Sequence, residues 1–148
     1  MLKPARPLQQ RKIDTLYRLG HDKDLWIASS NSQGEPYLVP LSFWWNEKSL
    51  FIATPLKNPT AQNIVSTGKI RIALGHTRDV VLIGASARVL EANEIEKCTD
   101  AFTKKSGWDP RSSKGYGFFQ LEPLRIEVWR EENEHVDRLL MKNGKWLI

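Results

Sequence analysis

Gly34–Asn63, GEPYLVPLSFWWNEKSLFIATPLKNPTAQN, is the stretch on which the rest of this chain depends. It reads as a turn, a long strand, a tight polar turn, a second strand, and a proline-flanked basic loop that opens a short helix. The odd positions Tyr37, Val39, Leu41, Phe43 and Trp45 are all apolar, whereas the even positions Leu38, Pro40, Ser42 and Trp44 are mixed. Side chains alternate across a strand, so this pattern predicts one core face and one face met by a ligand or a partner chain. Pro40 supplies no ladder donor, so its strand must be an edge, be bulged, or leave a gap. A gap leaves backbone carbonyls and N–H groups free to hold a heterocycle. Asn46–Ser49 turns the chain into Leu50–Thr54, and Pro55 stops that strand. Asn58 and Pro59 then read as an N-cap and first helical residue, for a helix running to about Ser66 and ending before Gly68. Lys57 stands just ahead of this helix, whose unpaired N–H groups and positive dipole end suit a phosphate.

Working outward, Leu8–Leu19 carries Ile13, Leu16 and Tyr17 at helical spacing and is closed by Gly20; it predicts an N-terminal helix capping a barrel end. Leu25–Ser30 predicts a strand, joined to the next by the turn-forming Asn31–Gly34. Ile70, Ile72 and Leu74 alternate with Arg71 and Ala73 as a further strand. Val80–Val89 is the next, after a His76–Asp79 turn. From Ala92 to Ser106 the period changes to that of a helix, with Ile95, Cys98, Ala101 and Phe102 on one face and Gly107 and Pro110 as stops. Arg111–Gly117 reads as a polar loop. Phe118–Leu121 and Leu124–Trp129 read as two strands separated by Glu122-Pro123. Asn143-Gly144 predicts a type I′ hairpin between Leu139–Met141 and Lys145–Ile148. Many short strands with interspersed helices, no repeat and no linker predict a mainly β, α+β domain spanning residues 1–148, an antiparallel barrel with short flanking helices.

Composition narrows the function classes. With 148 residues, 41% hydrophobic and 26% charged, the chain has ordinary globular proportions. It contains no apolar run near the ~20 residues of a membrane span. The first residues, MLKPARPLQQRK, lack the apolar segment of a secretory signal, and Cys98 is the one cysteine; both suit the cytoplasm. The net charge of +5 points to an anionic partner. The basic residues are scattered, so a nucleic-acid stripe is not indicated, although an exposed Trp44-Trp45 pair could stack on single-stranded bases. The six tryptophans are many for this length; Trp44, Trp45 and Trp129 fall on strand-like stretches, as core, dimer surface or a stacking wall. His21, His76 and His135 have no close-spaced partners for a metal. Glu131, Glu132 and Glu134 read as a solvated charged turn. There is no Gly-x-Ser-x-Gly elbow, Walker A loop or Gly-x-Gly-x-x-Gly turn. By exclusion, if the chain is an enzyme, a cofactor carries its reaction.

An ordered set of short motifs runs from about Leu25 to Trp146: Ala28-Ser29, Gly34-x-Pro36, Val39-Pro40, Phe51-Ile52-Ala53-Thr54, Ala61-x-Asn63-Ile64, Val80–Gly84, Ala87-Arg88-Val89, Glu127-Val128-Trp129, Asp137-Arg138 and Trp146. In order and spacing they resemble the pyridoxamine 5′-phosphate oxidase-like split-barrel flavoproteins. The resemblance implies FMN, or in related branches the deazaflavin F420, bound between the two chains of a homodimer. It implies a cradle of Val39, Pro40, Leu41 and Ser42 at the ring edge and Ala53 and Thr54 near the ribityl chain or phosphate. Lys57 and Thr60 would then hold the phosphate, with Trp129 and Arg138 near the ring or tail. Family members often carry Gly-Ser-Arg-Lys-Ala where this chain reads Lys57-Asn58-Pro59-Thr60-Ala61. Leu38 and Phe43 stand where the oxidase has Arg and Lys, and His135–Arg138 lacks its Arg-x-His-Asp-Arg pattern. The resemblance therefore implies a flavin-dependent oxidoreductase of another substrate, an F420-dependent reductase, or a non-catalytic flavin-binding stress-response protein, and not vitamin B6 oxidation.

Overall fold

Alternation sets the sheet. In Lys69–His76 the side chains of Ile70, Ile72 and Leu74 turn inward while Lys69 and Arg71 face out, and Val81, Ile83 and Ala85 do the same in Asp79–Val89. A computed structural model of residues 1–148 places these alternating runs in one nine-stranded antiparallel sheet curled into a half-barrel with three helices. In chain order the elements are α1 (Leu8–His21), β1 (Asp24–Ser30), β2 (Pro36–Ser42), β3 (Trp44–Trp45), β4 (Leu50–Pro55), α2 (Pro59–Thr67), β5 (Lys69–His76) and β6 (Asp79–Val89). They are followed by α3 (Ala92–Ser106), β7 (Tyr116–Trp129), β8 (Leu139–Lys142) and β9 (Lys145–Trp146). The strand order is β2-β1-β5-β6-β7-β4-β3, with β8 added to β7 and β9 to β8.

Inside the curl, Leu25, Ile27, Leu50, Ile52, Ile72, Ile83, Phe119, Leu121 and Ile126 form the main core, closed from one side by Ala61 and Ile64 of α2. A second, smaller cluster lies on the opposite face of β4, where Phe51 and Ala53 meet Phe118 of β7 and Phe102 of α3. Strand β4 is therefore buried on both faces, which is why it reads as the continuous apolar run Leu50–Ala53.

Four expectations need correction. The long strand predicted through Trp45 ends at Ser42: Phe43 leaves the ladder and turns fully into the core, and Trp44-Trp45 pairs instead with Phe51 and Leu50. Pro123 does not divide the last long strand, because β7 bulges there. Ala85 pairs with Pro123 and Gly84 with Arg125, so Leu124 is left out of the ladder and the strand runs on through the bulge beside the proline. Helix α1 runs through Gly20 and exposes Ile13, Leu16 and Tyr17; its buried stripe is Arg11, Thr15 and Leu19. The stripe is partly polar because it faces polar backbone: Arg11 Nη1 donates to the carbonyl of Glu134 at 3.1 Å and its Nε to that of Arg6 at 3.1 Å. Finally, Glu134 is not solvated. It lies buried under the N-terminal segment, accepting from the Arg6 peptide N–H, Arg6 Nη2 and the Arg130 peptide N–H, each at 2.8 Å.

Gly75 shows how tightly this corner is packed. It adopts φ +88°, and a Cβ there would lie 1.7 Å from Arg18 Nη1 and 2.3 Å from the Asp79 carbonyl oxygen. The chain must shift and the Arg18–Asp79 ion pair, 2.7 Å, must give way. Gly75→Ala is expected to cost about 1–3 kcal/mol, measured by urea unfolding.

A candidate cofactor site in the barrel seam

The sheet does not close. Its two ends approach where β2 runs past β4, yet β2 bonds only to β1, and β4 bonds to β3 only through Leu50 and Phe51. Along Ile52–Pro55 the β4 edge facing the seam has no ladder partner, and Pro40 sits in the opposing edge strand. Unpaired strand edges are rows of donors and acceptors that require a partner or water.

A cleft of about 490 Å³ lies at this seam, lined by Asp24, Pro40, Leu41, Ser42, Ala53, Thr54, Pro55, Asn58, Phe102, Trp108 and Tyr116. Of the residues expected from sequence, Pro40, Leu41, Ser42, Ala53 and Thr54 are brought together here. Val39 is half-buried against the main core instead. Lys57 is exposed in the loop before α2, and Thr60 is buried in the helix's first turn; neither lines the cleft. Trp129 lines a separate hollow with Arg78, Arg130 and His135. Arg138 is exposed, donating to Glu127 Oε2 at 2.8 Å and to the His135 carbonyl at 3.1 Å, with its guanidinium 5.8 Å from the Trp129 ring centroid. Within one chain, then, the last two do not reach the cleft.

The start of α2 is chemically open. Pro59 has no N–H, and Asn58 does not cap the helix: its amide donates to Thr54 Oγ1 at 3.3 Å. Thr60 Oγ1 is buried with no hydrogen-bond partner. A buried hydroxyl without a partner costs free energy, so the helix start holds unmet polar capacity beside Thr54 and Asn58.

The far wall was not legible as part of a site. Trp108, on the connector between α3 and β7, packs edge to face on Tyr116 at the start of β7, centroids 5.1 Å apart. That connector is fixed by Arg111, which grips Asp109 and reaches Asp100 of α3 at 2.9 Å, and by Ser106 Oγ, which donates to the Trp108 carbonyl at 3.0 Å. Arg111 holds the Asp109 carboxyl below its ordinary range. No Lys, Arg or His lines the cleft. Lys105 on α3 is directed elsewhere, donating to the Asp22 carbonyl at 2.8 Å and lying over the Phe43 ring; burial pulls its pKa down. Trp44 packs on Phe51 with ring centroids 5.0 Å apart and Trp45 packs against the main core, so neither is presented as an open stacking platform.

No family model matches the sequence, and no curated protein matches it. Solved structures do. The Vibrio cholerae heme storage protein HutZ is 17% identical with a TM-score of 0.60, over 84% of this chain and 99% of that one. A Listeria innocua structure described as a candidate pyridoxamine 5′-phosphate oxidase is 14% identical with a TM-score of 0.66, over 82% and 98%. An F420 reductase is 11% identical with a TM-score of 0.62, over 74% and 93%. The fold is the split barrel. Those similarities are of fold, spread over proteins with different ligands, and the split barrel's open seam coincides with the cleft described above. No helix here is long and apolar enough to cross a membrane.

Proposed function

We propose that the chain binds FMN in the barrel seam as a homodimer and acts as a flavin-dependent oxidoreductase. The observation that supports this best is the juxtaposition of unpaired strand edges at β2 and β4 with the uncapped start of α2. A flavin has the matching chemistry, a flat ring with hydrogen-bonding edges and an anionic tail. The β2 backbone at Pro40–Ser42 would meet the ring edge, and Ala53 and Thr54 the ribityl chain. The orphan Thr60 hydroxyl, the free N–H groups of α2 and Lys57 would hold the phosphate. Bound FMN would supply hydride or electron transfer, while the protein sets orientation and excludes water.

The dimer reading rests on the outer face of the sheet. There Pro40, Trp26, Ala73 and Leu82 lie side by side across β2, β1, β5 and β6 as an apolar row, with Trp26 50% and Leu38 62% exposed. Covering this face with a second copy would remove a contiguous apolar patch from water and would let a partner's Trp129 and Arg138 approach a seam they do not reach in their own chain.

Two tests apply. Protein carrying a flavin should release FMN on denaturation, and added FMN should raise the melting temperature by several degrees at about 100 times its Kd. Stabilisation by F420 alone selects the deazaflavin, and stabilisation by haem alone selects the chemistry of HutZ, although no histidine lines the cleft to serve as an axial ligand. No shift with any of the three overturns the reading. The phosphate assignment has its own variant: Thr60→Val with Lys57→Ala should weaken FMN binding about tenfold. It should leave the free protein as stable as before, because the hydroxyl removed has no partner to lose. Unchanged FMN affinity would place the phosphate elsewhere.

A further inference from the structure

Strands β1 and β5 separate at one end. Their ladder runs from Trp26 opposite Ala73 to Ala28 opposite Arg71 and stops there, although β1 continues to Ser30 beside β2 and β5 begins at Lys69 beside β6. Residues of an inner antiparallel strand bond alternately to one neighbour and to the other. Asn31 N–H donates to the Glu35 carbonyl and Phe43 N–H to the Lys23 carbonyl, both at 3.2 Å, which turns the odd-numbered residues of β1 towards β2 and the even-numbered ones towards β5. Ser30 therefore aims its N–H and C=O at a place where the β5 partner is missing.

A hollow of about 300 Å³ occupies this gap, with Ser29, Ser30 and Pro36 on one side and Lys69, Ile70 and Arg71 on the other. No acidic residue lines it. Lys69 and Arg71 are consecutive outward residues of β5, roughly 7 Å apart along the strand, and neither has a carboxylate partner. Arg71 lies over Gly84, whose missing side chain gives the guanidinium room: a Cβ there would stand 3.3 Å from Nη1. Ser29 is buried, and its Oγ accepts from Asn63 Nδ2 of α2 at 3.0 Å, which leaves its own proton free to donate. Two neighbouring cations repel each other, and an anion between them relieves that repulsion. With an unpaired amide at a break in the sheet, they form an anion-binding concavity.

We propose that the gap between β1 and β5 binds a phosphate group, held by Lys69, Arg71 and the Ser30 N–H. The dianion matches the two cations, and its three terminal oxygens match the three donors. The hollow shares no residue with the seam cleft or with the apolar row assigned to the dimer, so this site stands independently of the flavin reading.

The test follows the backbone amide signals of the full-length protein in two-dimensional NMR spectra during titration with inorganic phosphate at fixed ionic strength. The Ser30 and Lys69 amides should shift and then saturate. Lys69→Gln and Arg71→Gln should each weaken this binding about tenfold, and the double variant should abolish it. Both side chains are exposed and unpaired, so the variants should fold as the parent does. Potassium chloride at the same ionic strength should not reproduce the shifts. Phenyl phosphate, titrated in the same way, identifies the source: tighter binding than inorganic phosphate assigns the site to a phosphate ester, and equal or weaker binding assigns it to the free ion. Absence of a saturable Ser30 shift, its persistence in the double variant, or an equal response to chloride overturns the proposal. Amides at the start of α2 report the flavin phosphate reading separately. Movement at Thr60 and Ala61 with none at Ser30 keeps that reading and removes this site, whereas movement at Ser30 supports this site whether or not Thr60 responds.

Discussion

Glu134→Ala lowers the unfolding free energy by about 3–5 kcal/mol, a fall in melting temperature of roughly 10 °C or more for a chain of this size. The reason is the set of groups left behind. Arg6 and Arg11 are both nearly fully buried, and Arg6 reaches Glu134 Oε2 at 2.8 Å. Removing the carboxylate leaves the Arg6 guanidinium with Asp14 at 2.8 Å and Asp79 at 3.4 Å, both partly exposed, and leaves the peptide N–H groups of Arg6 and Arg130 without acceptors. The same carboxyl has a defined acid signature. Burial pushes its pKa up, but hydrogen bonds from Arg6 and from the Arg6 and Arg130 peptides outweigh that, and it falls from 4.5 to about 2. A carboxyl depressed in the folded state stabilises fully above its unfolded value and loses that contribution as pH falls through the folded value. The gap between the parent protein and Glu134→Ala should therefore be complete above pH 4.5 and shrink, by about 3 kcal/mol, as pH falls towards 2, followed by urea unfolding at each pH. A constant gap would mean that Glu134 acts by packing alone.

Phe102→Ala comes next in size, at about 3–4 kcal/mol. Phe102 is 1% exposed and meets Phe118 edge to face at 5.1 Å and Trp108 at 6.3 Å. It belongs to the smaller cluster, which has Phe51, Ala53, Leu90 and Phe118 as its other buried members and joins α3 to the sheet. With so few neighbours to collapse inward, the cavity should persist. Phe102→Leu keeps most of the volume and should cost less than half as much. Because Phe102 also lines the seam cleft, the alanine variant should lose ligand affinity along with stability, whereas Gly75→Ala, at a residue that does not line the cleft, should affect stability more than affinity.

Those two sites mark what the residues alone could and could not disclose. Elements with a strong period and a strong stop were legible: α3 at its true limits, Ala92 to Ser106 before a left-handed Gly107, and the turn at Asn143-Gly144, both at positive φ, although its strands run Leu139–Lys142 and Lys145–Trp146, with the second stopping short of Ile148. The strand pair around Pro40 and the start of α2 at Pro59 were also legible, and with them half of the seam. Local signals failed where distant segments meet. Nothing near Glu134 announces that Arg6, 128 residues away, will bury it. Nothing near Trp108 or Asp24 announces that both line one cleft at the seam. The apolar spacing in α1 misled because Ile13, Leu16 and Tyr17 are regularly placed but turned outward, while on the buried side Arg11 satisfies backbone carbonyls beneath the helix and Thr15 donates back to the Arg11 carbonyl of its own helix. Pro123 misled because a bulge accommodates a residue that a regular ladder would reject.

Pro40 has a second consequence, independent of any ligand. Strand β2 is the free end of a long antiparallel sheet, exposed along most of its length and rich in apolar side chains. Such an edge can template the addition of a strand from any neighbouring molecule, and repetition of that step yields aggregates. Proline in the middle of the run removes a donor that an incoming strand would need and interrupts the hydrogen-bond register. The residue that keeps the seam open thus also protects the protein from uncontrolled self-association at its most vulnerable edge.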